Sequence, residues 1–133
     1  MLIKRTITLK ALVTPALKEE MLRDLHNTLQ RLELELQQIE FQGKRLLLDA
    51  EKQGVQQVAS TRQQIEEEKE KRLEMRGRLR QKITEVKGWE QGAEVVQGVV
   101  EGWVKVKTGD DISRIFGAEI VMENGKIVEL RHE

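Results

Sequence analysis

The sequence predicts an α+β protein in which a long antiparallel helical hairpin, a coiled-coil stalk, carries a small β head. Three observations indicate this fold. Apolar residues recur at alternating steps of three and four through the middle of the chain, which is the spacing of a helix packed against another helix. Segments at both ends alternate apolar with polar residues, as strands with one buried face do. The only proline, Pro15, stands where the strand pattern ends and the helical pattern begins.

The N-terminal segment predicts a strand over residues 2–12. Ile3 and Ile7 occupy odd positions there, while Lys4 and Thr6 occupy even ones. A helix is predicted to follow at once, because Thr14 can act as a hydroxyl N-cap and proline is well tolerated at the first helical position. This helix should run from Pro15 to about residue 53, and Gly43 alone interrupts its helix-forming composition.

The first helix carries an apolar seam along one side. The seam comprises Leu22, Leu25, Leu29, Leu32, Leu36 and Ile39. A second seam follows over residues 58–86, and the two align as an antiparallel hairpin when Leu22 is placed opposite Val86. The same register places Ala50 opposite Val58 and a turn near residues 53–56. The sequence leaves open whether the hairpin closes within one chain or by exchange of helices between protomers.

This register also predicts a mismatch between the two helices. Apolar residues of the first helix face basic residues of the second, in the pairs Leu32 with Arg76, Leu36 with Arg72, Ile39 with Lys69 and Leu46 with Arg62. Basic stems cover some apolar surface but not a continuous leucine row. Leu34, Leu47 and Leu48 lie off the seam and widen the apolar stripe. We therefore expect a homo-oligomer or a protein partner to bind the first helix. The predicted surface comprises Leu22, Leu25, Leu29, Leu32, Leu36, Ile39, Leu46 and Leu47. A shifted register that uses Leu73 and Met75 is the alternative.

The C-terminal part predicts the rest of the head. A valine-rich strand is expected over residues 95–107, and Asp111 can cap a short helical turn at 112–116. Strands at 118–123 and 126–131 flank Asn124-Gly125, the preferred pair of a type I′ hairpin turn. The predicted domains are therefore residues 1–13 with 93–133, a small antiparallel sheet or barrel, and residues 14–90, the stalk.

Basic residues of the second helix provide a different candidate surface. The chain has 23 basic and 23 acidic residues and no net charge, so it is not drawn as a whole to nucleic acid or membrane. Five basic residues nevertheless cluster on this helix, namely Arg72, Arg76, Arg78, Arg80 and Lys82. RNA phosphates or an acidic protein could bind there. The alternative is neutralisation by Glu33, Glu35 and Glu40 of the first helix, and no aromatic residues interleave to stack on bases.

No pattern in the sequence indicates catalysis, a metal or a cofactor. There are no cysteines, and His26 and His132 lack the spacing of paired metal ligands. Turn and cap chemistry explains Asp110-Asp111. We expect Trp89 and Trp103 to pack where the stalk meets the head, and the alternative is that an exposed tryptophan anchors a partner. No signal peptide or membrane-spanning run is present, which favours a cytoplasmic protein. No small-molecule substrate is evident from the sequence.

The order of the terminal segments resembles the bacterial YlqD family. The resemblance rests on Lys4-Arg5-Thr6-Ile7-Thr8-Leu9-Lys10, on the run from Val104 to Asp111, and on the closing stretch from Ile120 to Leu130. It implies a small bacterial protein without an established function and supplies no catalytic residues. The sequence therefore predicts a non-enzymatic interaction or scaffold protein acting through its stalk, with an RNA or ribonucleoprotein accessory factor using residues 69–87 as the alternative.

Overall fold

The computed structural model describes residues 1–132, so Glu133 of the predicted head lies outside the described residues. The chain forms two compact units. The sheet unit contains Met1–Glu20 and the chain from Trp89 onward, and the hairpin unit is Met21–Gly88. The first turns of the first helix thus belong to the sheet unit, where Lys18 Nζ donates a hydrogen bond to the Trp89 carbonyl at 3.1 Å.

The predicted α+β class is confirmed by the order of the elements. They are β1 (Leu2–Leu12), α1 (Pro15–Glu51), α2 (Val55–Lys87), β2 (Glu94–Lys105), α3 (Ile112–Phe116), β3 (Glu119–Glu123) and β4 (Lys126–Arg131). The four strands form one sheet in the order β2-β1-β3-β4, so β1 is central and β2 and β4 are edges. The core of this unit includes Ala11, Val13, Ala118 and Val121, all of them buried.

One strand pair differs from the predicted antiparallel sheet, because β1 and β3 run parallel. β2 is antiparallel to β1 and ends with Lys105 opposite Leu2. The chain then reverses through α3 and joins the other edge of β1, with Glu119 opposite Thr8. A strand that reverses after an antiparallel neighbour and pairs on the far side must run parallel to the central strand. Arg5 holds the crossover, since its Nη1 donates to the Ile115 carbonyl at 3.2 Å.

The local signals at the ends of elements are confirmed. Thr14 Oγ1 accepts a hydrogen bond from the Leu17 amide at 3.1 Å, and Pro15 is the first residue of α1. Asp111 caps α3 by accepting from the Ser113 amide at 3.0 Å. Asn124 and Gly125 have φ values of 50° and 81°, the two positive values that a type I′ turn requires.

The predicted hairpin is confirmed, with the chain reversing between Glu51 and Val55. Gly43 is buried in α1, and a Cβ built on it would lie 3.2 Å from Ile65 Cδ1 of α2. This contact lies in the register predicted from Leu22 and Val86. Gly43 therefore does more than weaken α1: the absence of a side chain lets Ile65 approach the helix backbone, which offsets its low helix propensity.

Ion pairs join the two edge strands of the sheet at one end. Arg131 Nη1, near the end of β4, donates to Glu94 Oε2 at the start of β2 at 3.0 Å. Lys10 of the central strand lies 4.0 Å from Glu94 Oε2 and also pairs with Glu119 of β3. The hydrogen bonds from Arg131, followed by the nearby charges of Arg131 and Lys10, lower the pKa of Glu94 below its ordinary value of 4.5.

The lowered pKa of Glu94 predicts an acid-sensitive sheet. The carboxylate stabilises the folded state above pH 4.5, and this contribution is lost as the pH falls through the lowered pKa, because the folded protein must then take up a proton that it resists. We expect Glu94→Gln to flatten the pH dependence of the unfolding free energy below pH 4.5, measured by denaturant titration of the sheet. The control is Glu101→Gln. Glu101 lies on β2 like Glu94, but its ion pair with Lys4 is exposed. Equal flattening by both variants would contradict the assignment to Glu94.

Candidate functional site

The predicted surface on α1 lies largely inside the hairpin. Leu32 is only 3% exposed. Six of the other seven predicted residues are half-buried, namely Leu22, Leu25, Leu29, Leu36, Ile39 and Leu47. Leu46 alone among the eight is mostly exposed. A partner that bound these leucines directly would have to separate α1 from α2, so most of this surface is already occupied by the chain itself.

Basic side chains of α2 cover the seam that we expected them to leave open. Lys69, Arg72 and Arg76 are each largely covered, and they pair with acidic residues of α1 rather than with solvent. Lys69 Nζ lies 3.7 Å from Glu40 Oε1, Arg72 Nε lies 3.3 Å from Glu35 Oε2, and Arg76 Nη1 lies 3.6 Å from Glu33 Oε2. Long basic side chains can lay their aliphatic stems over apolar residues, and here the charged ends reach glutamates of α1. The hairpin thus keeps the unshifted register.

The candidate RNA surface is therefore largely neutralised within the hairpin. Arg80 Nη2 lies 3.6 Å from Glu33 Oε1, and Lys82 Nζ lies 3.4 Å from Glu85 Oε1. Arg72 also donates to Glu68, and this hydrogen bond, followed by the charge of Lys71, lowers the pKa of Glu68. Of the five predicted residues, Arg72, Arg76, Arg80 and Lys82 each have an acidic partner, which lowers the positive potential available to phosphates.

A different apolar surface stands open on the hairpin unit. Leu34, Phe41 and Leu48 of α1 are 54%, 66% and 61% exposed. They are seven residues apart, so they lie in one row, and a helical wheel places that row directly opposite the seam. We call these three residues the outer stripe. Large apolar side chains repeated on the solvent side of a helix are typical of an interaction surface rather than of chance exposure.

Sequence reasoning only partly found the outer stripe. Leu34 and Leu48 stood out as leucines beside the seam, but they were interpreted as widening it, and Phe41 was not identified at all. The seven-residue spacing through Phe41 was the available signal. It could be recognised only after the seam had been assigned to the interior, because the same leucines could otherwise have faced α2.

The sheet unit contains a polar cleft of about 410 Å³, lined by Arg5, Lys105, Asp110, Asp111, Arg114 and His132, among others. Three of these side chains serve the fold: Asp110 accepts from the Lys107 amide at 2.8 Å, Asp111 caps α3, and Arg5 donates to the His132 carbonyl at 3.1 Å. Among residues 1–132, no three His, Asp or Glu side chains are grouped so that they could hold a metal ion.

The expectation for Trp103 is wrong. Its side chain is 69% exposed on edge strand β2, where Lys4 Nζ lies 5.6 Å from the ring centroid. Gly102 and Val104, its neighbours in the strand, are half-buried instead. An alternating strand at a sheet edge places one of its two faces in solvent, and Trp103 belongs to that face.

The comparisons with known proteins identify the family. The family model described as YlqD protein matches residues 1–131, nearly the whole chain and both units of the fold. The chain belongs to the YlqD family. The resemblance seen in the terminal segments of the sequence is thereby confirmed, and it extends through the hairpin of this YlqD-family protein.

A solved structure shares the fold of this YlqD-family chain. It is a crystal structure of a protein of unknown function from Synechococcus sp. WH 8102, with 29% sequence identity and a TM-score of 0.85. The match covers 98% of this chain and 94% of that one. A search of curated proteins gave no match. Within the described part of this YlqD-family chain, no helix combines the length and the apolar character needed to cross a membrane.

Proposed function

We propose that this protein is a non-enzymatic interaction protein whose helical hairpin binds protein through the outer stripe. The exposure of Leu34, Phe41 and Leu48 carries the proposal. The hairpin satisfies the seam leucines internally, so its own folding needs no partner there. The outer stripe takes no part in that packing, and its exposed apolar area is what a protein interface would remove from water.

The chemistry of the remaining surface supports a binding role over catalysis. Arg5 and Asp111 of the cleft in the sheet unit act as a crossover contact and a helix cap, and Arg72 and Arg76 of α2 act as ion-pair partners of α1. The outer stripe has no such internal role.

The test replaces the outer stripe while leaving the hairpin intact. Leu34→Gln, Phe41→Gln and Leu48→Gln combined should keep the helical content, because glutamine is a good helix former and the three positions are exposed. We expect this triple variant to lose the protein partners, including further copies of the chain, that the wild type retains in affinity capture and light scattering. Val55→Gln with Met75→Gln, which alters exposed apolar residues of α2, is the matched control and should retain them.

Two outcomes would overturn the proposal. One is a triple variant that keeps every partner and the mass of the wild type. The other is a result in which ribonuclease removes all partners and the triple variant removes none. That result would indicate RNA binding by the basic residues of α2.

A further inference from the structure

We propose that the outer stripe of one chain binds the outer stripe of a second copy, with the two α1 helices antiparallel and a twofold axis passing beside Phe41. This inference rests on the proposed function, since it names the partner that the outer stripe takes. It is drawn from the symmetry of the stripe and from the charges beside it.

The outer stripe has the same pattern in both directions along α1. Phe41 is the central residue, and a leucine lies seven residues to either side of it. At a rise of 1.5 Å per residue, the two leucines are about 21 Å apart along the helix. An antiparallel second copy therefore places Leu34 opposite Leu48, Phe41 opposite Phe41, and Leu48 opposite Leu34. A surface that is complementary to itself in this way is what a twofold symmetric interface requires.

The residues that flank the outer stripe decide between antiparallel and parallel pairing. Gln37 and Lys44 lie along one side of the stripe and Gln38 and Arg45 along the other, and all four are exposed. In an antiparallel pair the same sides of the two helices meet, as they do in antiparallel coiled coils. Gln37 then faces Lys44 of the second copy, and Gln38 faces Arg45. Each cation thus has a neutral amide opposite it.

A parallel pair would bring unlike sides of the two helices together. Lys44 would then face Arg45 of the second copy on both sides of the stripe, beside Phe41 and Leu48. Two repulsions between like charges at the centre of a small interface would oppose association. The flanking charges therefore favour the antiparallel arrangement. Because each copy contributes only three large apolar side chains, we expect a weak dimer that depends on protein concentration.

The first experiment exploits the absence of cysteine from the chain. Leu34→Cys and Leu48→Cys variants are prepared separately, mixed, and treated with a short thiol-specific cross-linker. In the antiparallel dimer, position 34 of one chain lies beside position 48 of the other, while the two copies of position 34 are about 21 Å apart. We expect cross-links between positions 34 and 48 only. Cross-links that join 34 to 34 and 48 to 48 would overturn the arrangement.

The second experiment changes charges without removing any apolar contact. Gln37→Glu with Gln38→Glu places a carboxylate opposite Lys44 and Arg45 in the antiparallel dimer, which adds four ion pairs across the interface. We expect dimerisation, measured by sedimentation over a range of concentrations, to tighten about tenfold at low salt. In a parallel dimer the same change places glutamate opposite glutamate and weakens association. Gln56→Glu with Gln57→Glu on α2 makes the same change in net charge and should leave dimerisation unaltered.

A wild type that stays monomeric at every concentration would overturn this inference. That result differs from failure of the proposed function. A heterologous protein partner that is lost from the outer-stripe triple variant would still support protein binding, while the absence of dimers would show that a second copy is not the occupant.

Discussion

Replacing Leu32 by alanine is expected to destabilise the hairpin by at least about 2 kcal/mol, within the usual range for a buried leucine. Leu32 is 3% exposed and lies in the seam between α1 and α2. Alanine has the highest helix propensity of all residues, so the loss reports packing rather than an effect on α1 itself. Denaturant unfolding followed by far-ultraviolet circular dichroism measures the change.

Leu34→Ala is the matched control for this prediction. It makes the same chemical change two residues away in the same helix, but on the exposed outer stripe. We expect its unfolding free energy to stay within about 0.5 kcal/mol of the wild type. Equal destabilisation by the two variants would contradict the division of α1 into an inner seam and an outer stripe. Together the variants separate stability, which depends on Leu32, from association, which we assign to Leu34 and its neighbours in the stripe.

Replacing Thr8 by proline is expected to unfold the sheet. Thr8 lies in central strand β1, between Val99 of β2 and Glu119 of β3, and its amide donates to the Ala118 carbonyl at 3.1 Å. Proline has no amide hydrogen, so this bond is lost, and the ring disturbs a strand that is paired on both sides. The cost should be about 3 kcal/mol or more, a large part of the stability of a small unit. Loss of hydrogen-exchange protection in β1 and β3 is the measurement.

The control for Thr8→Pro is Val128→Pro. Val128 is exposed on edge strand β4, at the register shift where β4 has one more residue than β3. Prolines are accommodated at edges and bulges, because no second neighbour needs the missing amide there. We expect the sheet of this variant to retain most of its exchange protection. A folded Thr8→Pro protein would show that β1 is not the central strand.

Local chemistry predicted most of the elements of this fold. The strand Leu2–Leu12, the cap at Thr14, the proline at the start of α1 and the Asn-Gly turn each follow from a few neighbouring residues, and the structure confirms each of them. The predicted alternation of burial holds only from Leu2 to Ile7, because both faces of the strand are covered from Thr8 onward. Such signals depend on backbone geometry and on hydrogen bonds that a residue makes with its close neighbours, so a single sequence contains them.

The sequence could not determine how the strands would be ordered. The order β2-β1-β3-β4 depends on which edge of β1 the chain reaches after β2, and α3 with Arg5 holds that crossover over more than 100 residues of sequence separation. No local pattern distinguishes that path from a hairpin of β2 with β3, which would have made the sheet antiparallel throughout.

Apolar spacing and capping signals within continuous segments predicted the two helices, the approximate position of the turn and the register that the structure has. They left a shifted register open, and it is the contact of Gly43 with Ile65 that excludes it. Which apolar residues remain exposed depends on packing between the helices, and no local pattern predicted it. Lys69, Arg72 and Arg76 lie across the seam and pair with glutamates of α1, so the seam is closed from within. The open surface is therefore Leu34, Phe41 and Leu48 on the opposite side. Exposure depends on everything that packs around a residue, and a long basic side chain can cover a leucine as well as an apolar one does.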